Sequence, residues 1–392
     1  MTNNKNEHID SMIVCSSGYP TPTDSVCPFV EQIVNAYSQM GIKVTVVAPQ
    51  SIIKHLLRGT ELHPRKREYT YNNGVPVTVY QPYVFSLGGR FGRLNSILRD
   101  RAVYRTLKRN KIKADICYGH FWHHAYSLYK YAKENNMPLF AISGESSISC
   151  HRIKNNNELA PFIDYVKGLV CVSSKNRDES REKGLLLDEK KCIVIPNAID
   201  NTIFKVYDRT DARKQLGLKD DDFVVAFTGW FDNNKGVQRV SNAIDKLGDF
   251  RIKSIFIGDN RDGSGIRPDC EGVVFMGRLT HSQVPLYLNM ADVFVLPTLH
   301  EGCNNAIIEA MACGLPIISS NLSFNWDVLN KSNSILVDPM NIDDIAMAIK
   351  QLKEDKLLRK QMSQHALETA EGLTINRRAE RIISFIEAKC HN

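Results

Sequence analysis

Short β-branched runs alternate with longer amphipathic stretches along this 392-residue chain, and the alternation runs through twice. A period of two that repeatedly gives way to a period near 3.6 is the mark of parallel strands joined by crossover helices. In the first half the pattern predicts strands at Met12–Ser16, Lys43–Ala48, Ala114–Tyr118, Pro138–Ile142, Gly168–Val172 and Cys192–Ile195, with helices between most of them, as at Pro28–Met40 and His123–Asn136. The second half restarts with Phe223–Gly229, Lys253–Gly258, Val273–Met276, Asp292–Pro297 and Pro316–Ser319. Between the halves, Pro196-Asn197-Ala198-Ile199-Asp200 and the Asp-rich stretch to Asp222 break the periodicity and read as a linker. The expected fold class is α/β with two domains. The length exceeds what one core usually serves, and 43% apolar residues supply material for two.

No stretch approaches the roughly 18 apolar residues of a membrane helix, and the polar start MTNNKNEHID lacks the basic-then-apolar order of a secretory signal, so a cytoplasmic protein is expected. The ten cysteines stand singly, without the CxxC pairs of a zinc site or redox dithiol, and read as reduced thiols. The net charge of +7 is local: residues 87–113 carry Arg90, Arg93, Arg99, Arg101, Arg105, Lys108, Arg109, Lys111 and Lys113 against Asp100 alone, and the rest of the chain is nearly neutral. Leu94, Ile97, Leu98 and Leu107 recur there at roughly helical spacing. The segment therefore reads as a helix whose basic side is either an ordinary solvated face or a docking face for anionic lipid, peripheral to the inner membrane surface.

Ligands of open α/β sheets bind beyond the carboxyl ends of the strands. Neither half has a G-x-G-x-x-G after its first strand, and no G-x-x-x-x-G-K-[ST] occurs, which argues against a dinucleotide oxidoreductase or a P-loop enzyme. The stretch PTLHEGCNNAIIEAMACGLPIIS offers another phosphate device: a strand ends at Pro297, a loop containing Glu301, Gly302 and Cys303 follows, and a helix opens near Asn304 or Asn305 and stops at Gly314. Asn is a favoured N-cap, and the free N–H groups of a helix start suit a diphosphate. Glu301 and Glu309 supply carboxylates for sugar and ribose hydroxyls.

These residues resemble the E-x7-E motif of the retaining GT-B glycosyltransferases of glycosyltransferase family 4, here Glu301 through Glu309 followed by EAMACGLPII. The resemblance implies two Rossmann-like domains facing a central cleft: residues 1–200 binding acceptor, residues 201–373 binding the nucleotide-sugar donor, and a helix from 374 to 392 returning to the first. It assigns Glu301 and the backbone after it to the transferred sugar, and Glu309 to the ribose. Gly229-Trp230-Phe231-Asp232-Asn233-Asn234-Lys235-Gly236 is similar to the family's G-R-L-x-x-x-K-G loop, with Lys235 as the phosphate-binding cation and Trp230 where the family has Arg. This removes one phosphate-facing charge unless Arg239 or Arg278 reaches in. Gly277-Arg278-Leu279 resembles the segment whose backbone reads the base, and Pro196-Asn197-Ala198-Ile199-Asp200 the pre-linker motif.

The first half matches more loosely. Gly18-Tyr19-Pro20 stands where many members carry Gly-Gly, and Ser143-Gly144-Glu145 where they carry His-Gly. Glu145 or His120, which follows a strand end, is a candidate to compensate, and His120 is equally readable as a structural histidine. His123, His124 and His151 read as structural. Asp220-Asp221-Asp222 precedes a strand, opposite the ligand end, and reads as solvated linker charge; no metal and no cofactor is expected. The implied function is metal-independent transfer of a hexosyl group, with retention, from a UDP- or GDP-sugar to a glycan or lipid-linked glycan in cell-surface polysaccharide biosynthesis, with no nucleic acid involved. A GT-B sugar-nucleotide epimerase and a catalytically inactive sugar-nucleotide-binding subunit are the alternatives.

Overall fold

A computed structural model describes residues 8–21, 26–58, 62–86, 91–148, 156–260 and 265–391. Arg90, Cys150 and His151 lie outside the described residues. The chain divides at Ile195/Pro196 and Thr374/Ile375 into two compact units, the first made of the residues before and after those points and the second of Pro196–Thr374.

The first unit runs β1 (Ser11–Cys15), α1 (Pro28–Gln39), β2 (Lys43–Val47), β3 (Gln50–Ser51), α2 (Ile52–Arg58), β4 (Lys66–Tyr69), β5 (Val77–Tyr80), β6 (Tyr83–Val84), α3 (Gly92–Arg109), β7 (Ile116–His120), α4 (Trp122–Glu134), β8 (Leu139–Ser143), α5 (Asn156–Tyr165), β9 (Val166–Cys171), α6 (Ser174–Glu182) and β10 (Cys192–Val194). Its eight-stranded sheet has the order β10-β9-β8-β7-β1-β2-β5-β4, parallel except for the edge strand β4 against β5. The central strands β1, β7 and β8 are buried almost throughout, as parallel strands covered on both faces are. The second unit runs α7 (Thr210–Gln215), β11 (Phe223–Thr228), α8 (Val237–Leu247), β12 (Ile252–Ile257), β13 (Val273–Gly277), α9 (Val284–Met290), β14 (Val293–Leu296), α10 (Asn305–Ala312), β15 (Ile317–Ser320), β16 (Ser334–Val337), α11 (Ile342–Glu354) and α12 (Lys356–Glu371). Its six-stranded sheet is fully parallel in the order β13-β12-β11-β14-β15-β16.

The last helix, α13 (Ile375–Cys390), belongs to the first unit. It buries Ala379, Ile382, Ile383 and Ile386, a stripe at helical spacing, and packs on α1 and β9. Each fully buried isoleucine is worth about 1.5–3 kcal/mol by area removed from water. Phe385 sits so close to Gly168 that a Cβ there would lie 2.9 Å from its ring. Arg378 anchors the first turn through a hydrogen bond of 2.6 Å to the Ile195 carbonyl.

Three expectations change. The basic segment is a helix, α3, but its inward face is formed by Ser96, Val103 and Leu107, while Leu94 is exposed. Arg99 is half-buried beside Asp100, so it does not belong to the solvent face that carries Arg93, Arg101, Arg105, Lys108 and Arg109. Asp222 is not solvated charge: it is buried at the entry to β11, where its carboxylate accepts from the Lys219 N–H at 2.7 Å and its carbonyl from Arg213 at 2.6 Å.

Candidate active site

In the second sheet β11 lies between β12, which follows it in sequence, and β14, which does not. The crossovers therefore leave in opposite directions from β11 and β14, and the crevice beyond their carboxyl ends is where such sheets hold ligands. The loop after β11 carries Lys235 and the loop after β14 carries Glu301. Their side chains meet: Lys235 Nζ donates to Glu301 Oε1, which also accepts from Thr298 Oγ1 at 3.2 Å. Both partners are largely buried, with side-chain exposures of 18% and 13%.

The two loops are joined by more than this ion pair. The Leu299 N–H donates to the Asn234 carbonyl at 2.9 Å, and Asn234 Nδ2 to the His300 carbonyl at 3.2 Å. Arg239, on α8, donates to the carbonyls of Asn233 at 2.9 Å and Pro297 at 2.8 Å. Gly236 caps α8 with φ +78°, and a Cβ there would come within 2.5 Å of the Arg239 guanidinium. Only glycine meets both demands.

Glu301 leads into α10. Asn304 is its N-cap, its side-chain oxygen accepting from the Ala306 N–H at 3.0 Å, and Asn304 Nδ2 is buried with no acceptor among the described residues. Asn305 opens the helix; Gly302 and Cys303 are buried just before it. Asn197 braces this entry from the segment after β10, donating to the Cys303 carbonyl at 3.0 Å and to Asn305 Oδ1 at 2.8 Å. Glu309, one turn further on, is mostly buried and meets His281 Nε2 at 3.3 Å.

Trp230, Asp259 and Arg278 follow β11, β12 and β13 in turn. The Arg278 guanidinium lies 5.2 Å from the Trp230 ring centroid and pairs with Asp259 at 3.1 Å. Gly229, Gly258 and Gly277 let these strand ends approach: the Gly258 N–H donates to the Gly277 carbonyl at 2.9 Å, and a Cβ on Gly258 would lie 1.9 Å from the Gly229 carbonyl oxygen. Of the two arginines in reach of the position where Trp230 leaves a charge missing, Arg239 is committed to loop carbonyls, while Arg278 is at the rim and exposed.

The remaining candidates lie in the first unit. Gly18 follows β1 and packs against Val26, whose side chain a Cβ there would meet at 2.3 Å. His120 ends β7, 6% exposed among the rings of Phe29, Tyr118 and Phe121, with no hydrogen-bond partner for Nδ1 among the described residues. Burial, helped by the nearby Arg378 and His123 charges, lowers its pKa to about 3, so it is a neutral polar group and a poor proton acceptor. Burial raises the pKa of Glu145 from its ordinary value, against hydrogen bonds from its own and the Gly144 N–H groups and from Ser143. Among the described residues no group of three or more His, Cys, Asp or Glu is arranged to hold a metal ion.

Asn197, Asn234, Thr298 and His281 were not singled out as site residues from sequence. Asn197, Asn234 and Thr298 stand inside quoted motifs without a role assigned to them, Thr298 two residues beyond a strand end, and His281 carries no signal but position, four residues beyond a strand end.

Residues 208–369 match the model of the family described as Glycosyl transferases group 1, and residues 29–202 match that of Glycosyltransferase Family 4. The chain is a GT-B glycosyltransferase. It is 25% identical, over 91% of its length and 92% of the relative's, to the putative teichuronic acid biosynthesis glycosyltransferase TuaC of Bacillus subtilis. Over 55% of its length it is 27% identical to an Escherichia coli protein, UDP-Gal:alpha-D-GlcNAc-diphosphoundecaprenol alpha-1,3-galactosyltransferase, of which 58% is matched. The GT-B fold is shared with sucrose-phosphate synthase from Thermosynechococcus elongatus, at a TM-score of 0.77 and 15% identity, covering 97% of this chain and 99% of that one. It is shared also with Anabaena HepE in complex with UDP and glucose, at a TM-score of 0.67 and 18% identity, covering 96% and 100%.

Proposed function

We propose that this glycosyltransferase moves a hexosyl group, with retention, from a UDP- or GDP-sugar to a glycan or lipid-linked glycan acceptor in cell-surface polysaccharide biosynthesis. The observation that carries the reading is the meeting of Lys235 and Glu301 beside the N-terminus of α10, at the sheet's switch point. Departure of a nucleoside diphosphate puts negative charge on its terminal phosphate. A preplaced ammonium and a helix start stabilise that charge more in the transition state than before it. Glu301, beside the ammonium, is suited to accept from sugar hydroxyls, and Glu309 to accept from the ribose. Arg278 at the rim is the second cation. In the reaction the anomeric C–O bond to the diphosphate breaks and a bond to the acceptor oxygen forms on the same face. The acceptor proton passes to a phosphate oxygen, so no protein base is required. The names of the relatives support a polysaccharide context and a polyprenyl-linked acceptor.

The exposed face of α3 supports docking on an anionic membrane surface. Arg93, Arg101, Arg105 and Lys108 alternate there with exposed Leu94, and Phe85 and Phe91 precede it, 63% and 51% exposed. No helix among the described residues is long and apolar enough to cross a membrane.

A thermal-shift panel of UDP- and GDP-sugars tests the donor, because a ligand at about 100 times its Kd adds about 2.7 kcal/mol of stability. Incubation of the stabilising sugar nucleotide with and without a polyprenyl-diphosphate sugar then tests transfer. Stabilisation by none of the panel refutes the donor reading; conversion of the donor without acceptor points to epimerisation, and stabilisation with neither turnover nor hydrolysis to an inactive binding subunit.

A further inference from the structure

His281 lies four residues beyond β13, in the turn before α9, outside every motif so far used. Two contacts fix it. Its ring stands edge-on to the buried Phe204, centroids 4.9 Å apart at 67°, and its Nε2 reaches Glu309 Oε1 at 3.3 Å. The Glu309 side chain is 14% exposed and that of His281 45%, so the pair sits at the mouth of the site with the carboxylate on the inner side. Oε2 of Glu309 receives no hydrogen bond among the described residues. A carboxylate offers about four lone-pair positions, so one donor on Oε1 leaves room for further donors.

We infer that His281 is a positioning residue for donor binding, pinning one oxygen of Glu309 so that the other is presented to a ribose hydroxyl. This rests on the reading of Glu309 as the ribose-binding carboxylate. The alternative physical outcome, an imidazole that competes with the ribose for Glu309, predicts the opposite sign and is separable by experiment.

The contact also makes nucleotide affinity depend on pH. The charged groups acting on the imidazole are Glu309, on α10, and Asp200, in the segment after β10. The hydrogen bond to Glu309 raises the pKa of His281, burial opposes this, and the charges of Glu309 and Asp200 add to the rise. Below the raised pKa an imidazolium donates a charge-assisted bond; above it, a neutral N–H holds Glu309 more weakly.

The test uses the full chain and the nucleoside diphosphate, UDP or GDP, that the thermal-shift panel selects. Its Kd is measured by calorimetry from about pH 5.5 to about pH 8.5 for the wild type, His281→Ala, His281→Gln and Glu309→Ala, alongside kcat with the corresponding sugar nucleotide. His281→Ala is expected to weaken binding about three- to tenfold at the acid end, with kcat changed by less than about twofold. His281→Gln, which keeps a donor but cannot titrate, is expected to recover part of the affinity and none of the pH dependence. An NMR titration is expected to show the pKa of His281 falling in Glu309→Gln. Tighter binding in His281→Ala, a pH step that stays as large as the wild type's in either variant, or a pKa that ignores Glu309→Gln overturns the inference; the ligand's own phosphate, which titrates at about pH 6, contributes equally to all variants. If Glu309→Ala itself leaves Kd unchanged, the ribose reading falls too. If Glu309→Ala weakens binding and His281→Ala does not, only the role of His281 falls.

Discussion

Replacing Lys235 with Ala removes the ammonium but leaves Glu301, and the consequences for turnover and stability differ in a way that can be worked out. At an effective dielectric of about 20, a unit charge about 4 Å from another is worth about 4 kcal/mol. Sharing the ammonium with Glu301 lowers what it can offer a departing phosphate to about 3 kcal/mol, which corresponds to roughly a 10²-fold loss in kcat. The same change strands a carboxylate with 13% exposure, whose remaining side-chain donor is the Thr298 hydroxyl at 3.2 Å. Stranding costs about 1–3 kcal/mol, or a few degrees in Tm for a unit of this size. Adding Glu301→Gln removes the stranded charge, so the double variant is expected to regain most of the Tm and none of the turnover. Initial rates at saturating sugar nucleotide, with Tm by calorimetry for both variants, check the pair of outcomes. A Lys235→Ala enzyme whose kcat stays within about threefold of the wild type refutes the role of the ammonium, and recovery of turnover in the double variant refutes the separation of the two effects.

Glu309→Ala is expected to raise the donor KM with little change in kcat, since a ribose contact far from the reacting carbon is nearly uniform binding; steady-state kinetics in which kcat alone falls contradicts it. Reversal of Arg93, Arg101 and Arg105 to Glu is expected to abolish sedimentation with anionic vesicles while leaving the fold intact by circular dichroism, and undiminished sedimentation removes the docking face. Gly258→Ala forces a Cβ against the Gly229 carbonyl and is expected to cost at least about 1–3 kcal/mol in chemical denaturation; a neutral result shows that the strand ends can spread. Burial pushes Glu179 up, but bonds from Lys175, Lys183 and the Ile148 N–H outweigh it and hold its pKa at about 2, below the ordinary 4.5 of a glutamate. Its contribution is therefore full above pH 4.5 and lost as pH falls toward 2, and Glu179→Gln is expected to flatten that limb of the acid unfolding curve.

Strands buried on both faces announced themselves because a fully apolar run has few alternatives, as in Phe223–Thr228 and Val293–Leu296. The edge was less legible. Lys66–Tyr69 alternates polar and half-buried positions, and Val77–Tyr80 follows an Asn-Asn-Gly turn without the length of a core strand, so their antiparallel pairing was missed. Leu94 misled in α3, because apolar spacing alone does not say which face turns inward; Val103 and Leu107 decide that. At the candidate site the helix start at Asn304 was readable from local pattern, whereas Lys235 came forward only through the resemblance of its loop to the family's. The partnership of Asn197 with Asn305 and of His281 with Glu309 was not readable, because pairs 108 and 28 residues apart leave no periodic trace.

The stitching of residues 233–236 to 297–301 has a consequence for anyone altering this enzyme. A substitution in either loop perturbs carbonyls and amides that the other depends on, so the strip behaves as one clamp rather than two adjustable fingers. Selection for a new donor should return paired changes across the seam, and grafting a single loop from a relative should fail where exchanging both succeeds.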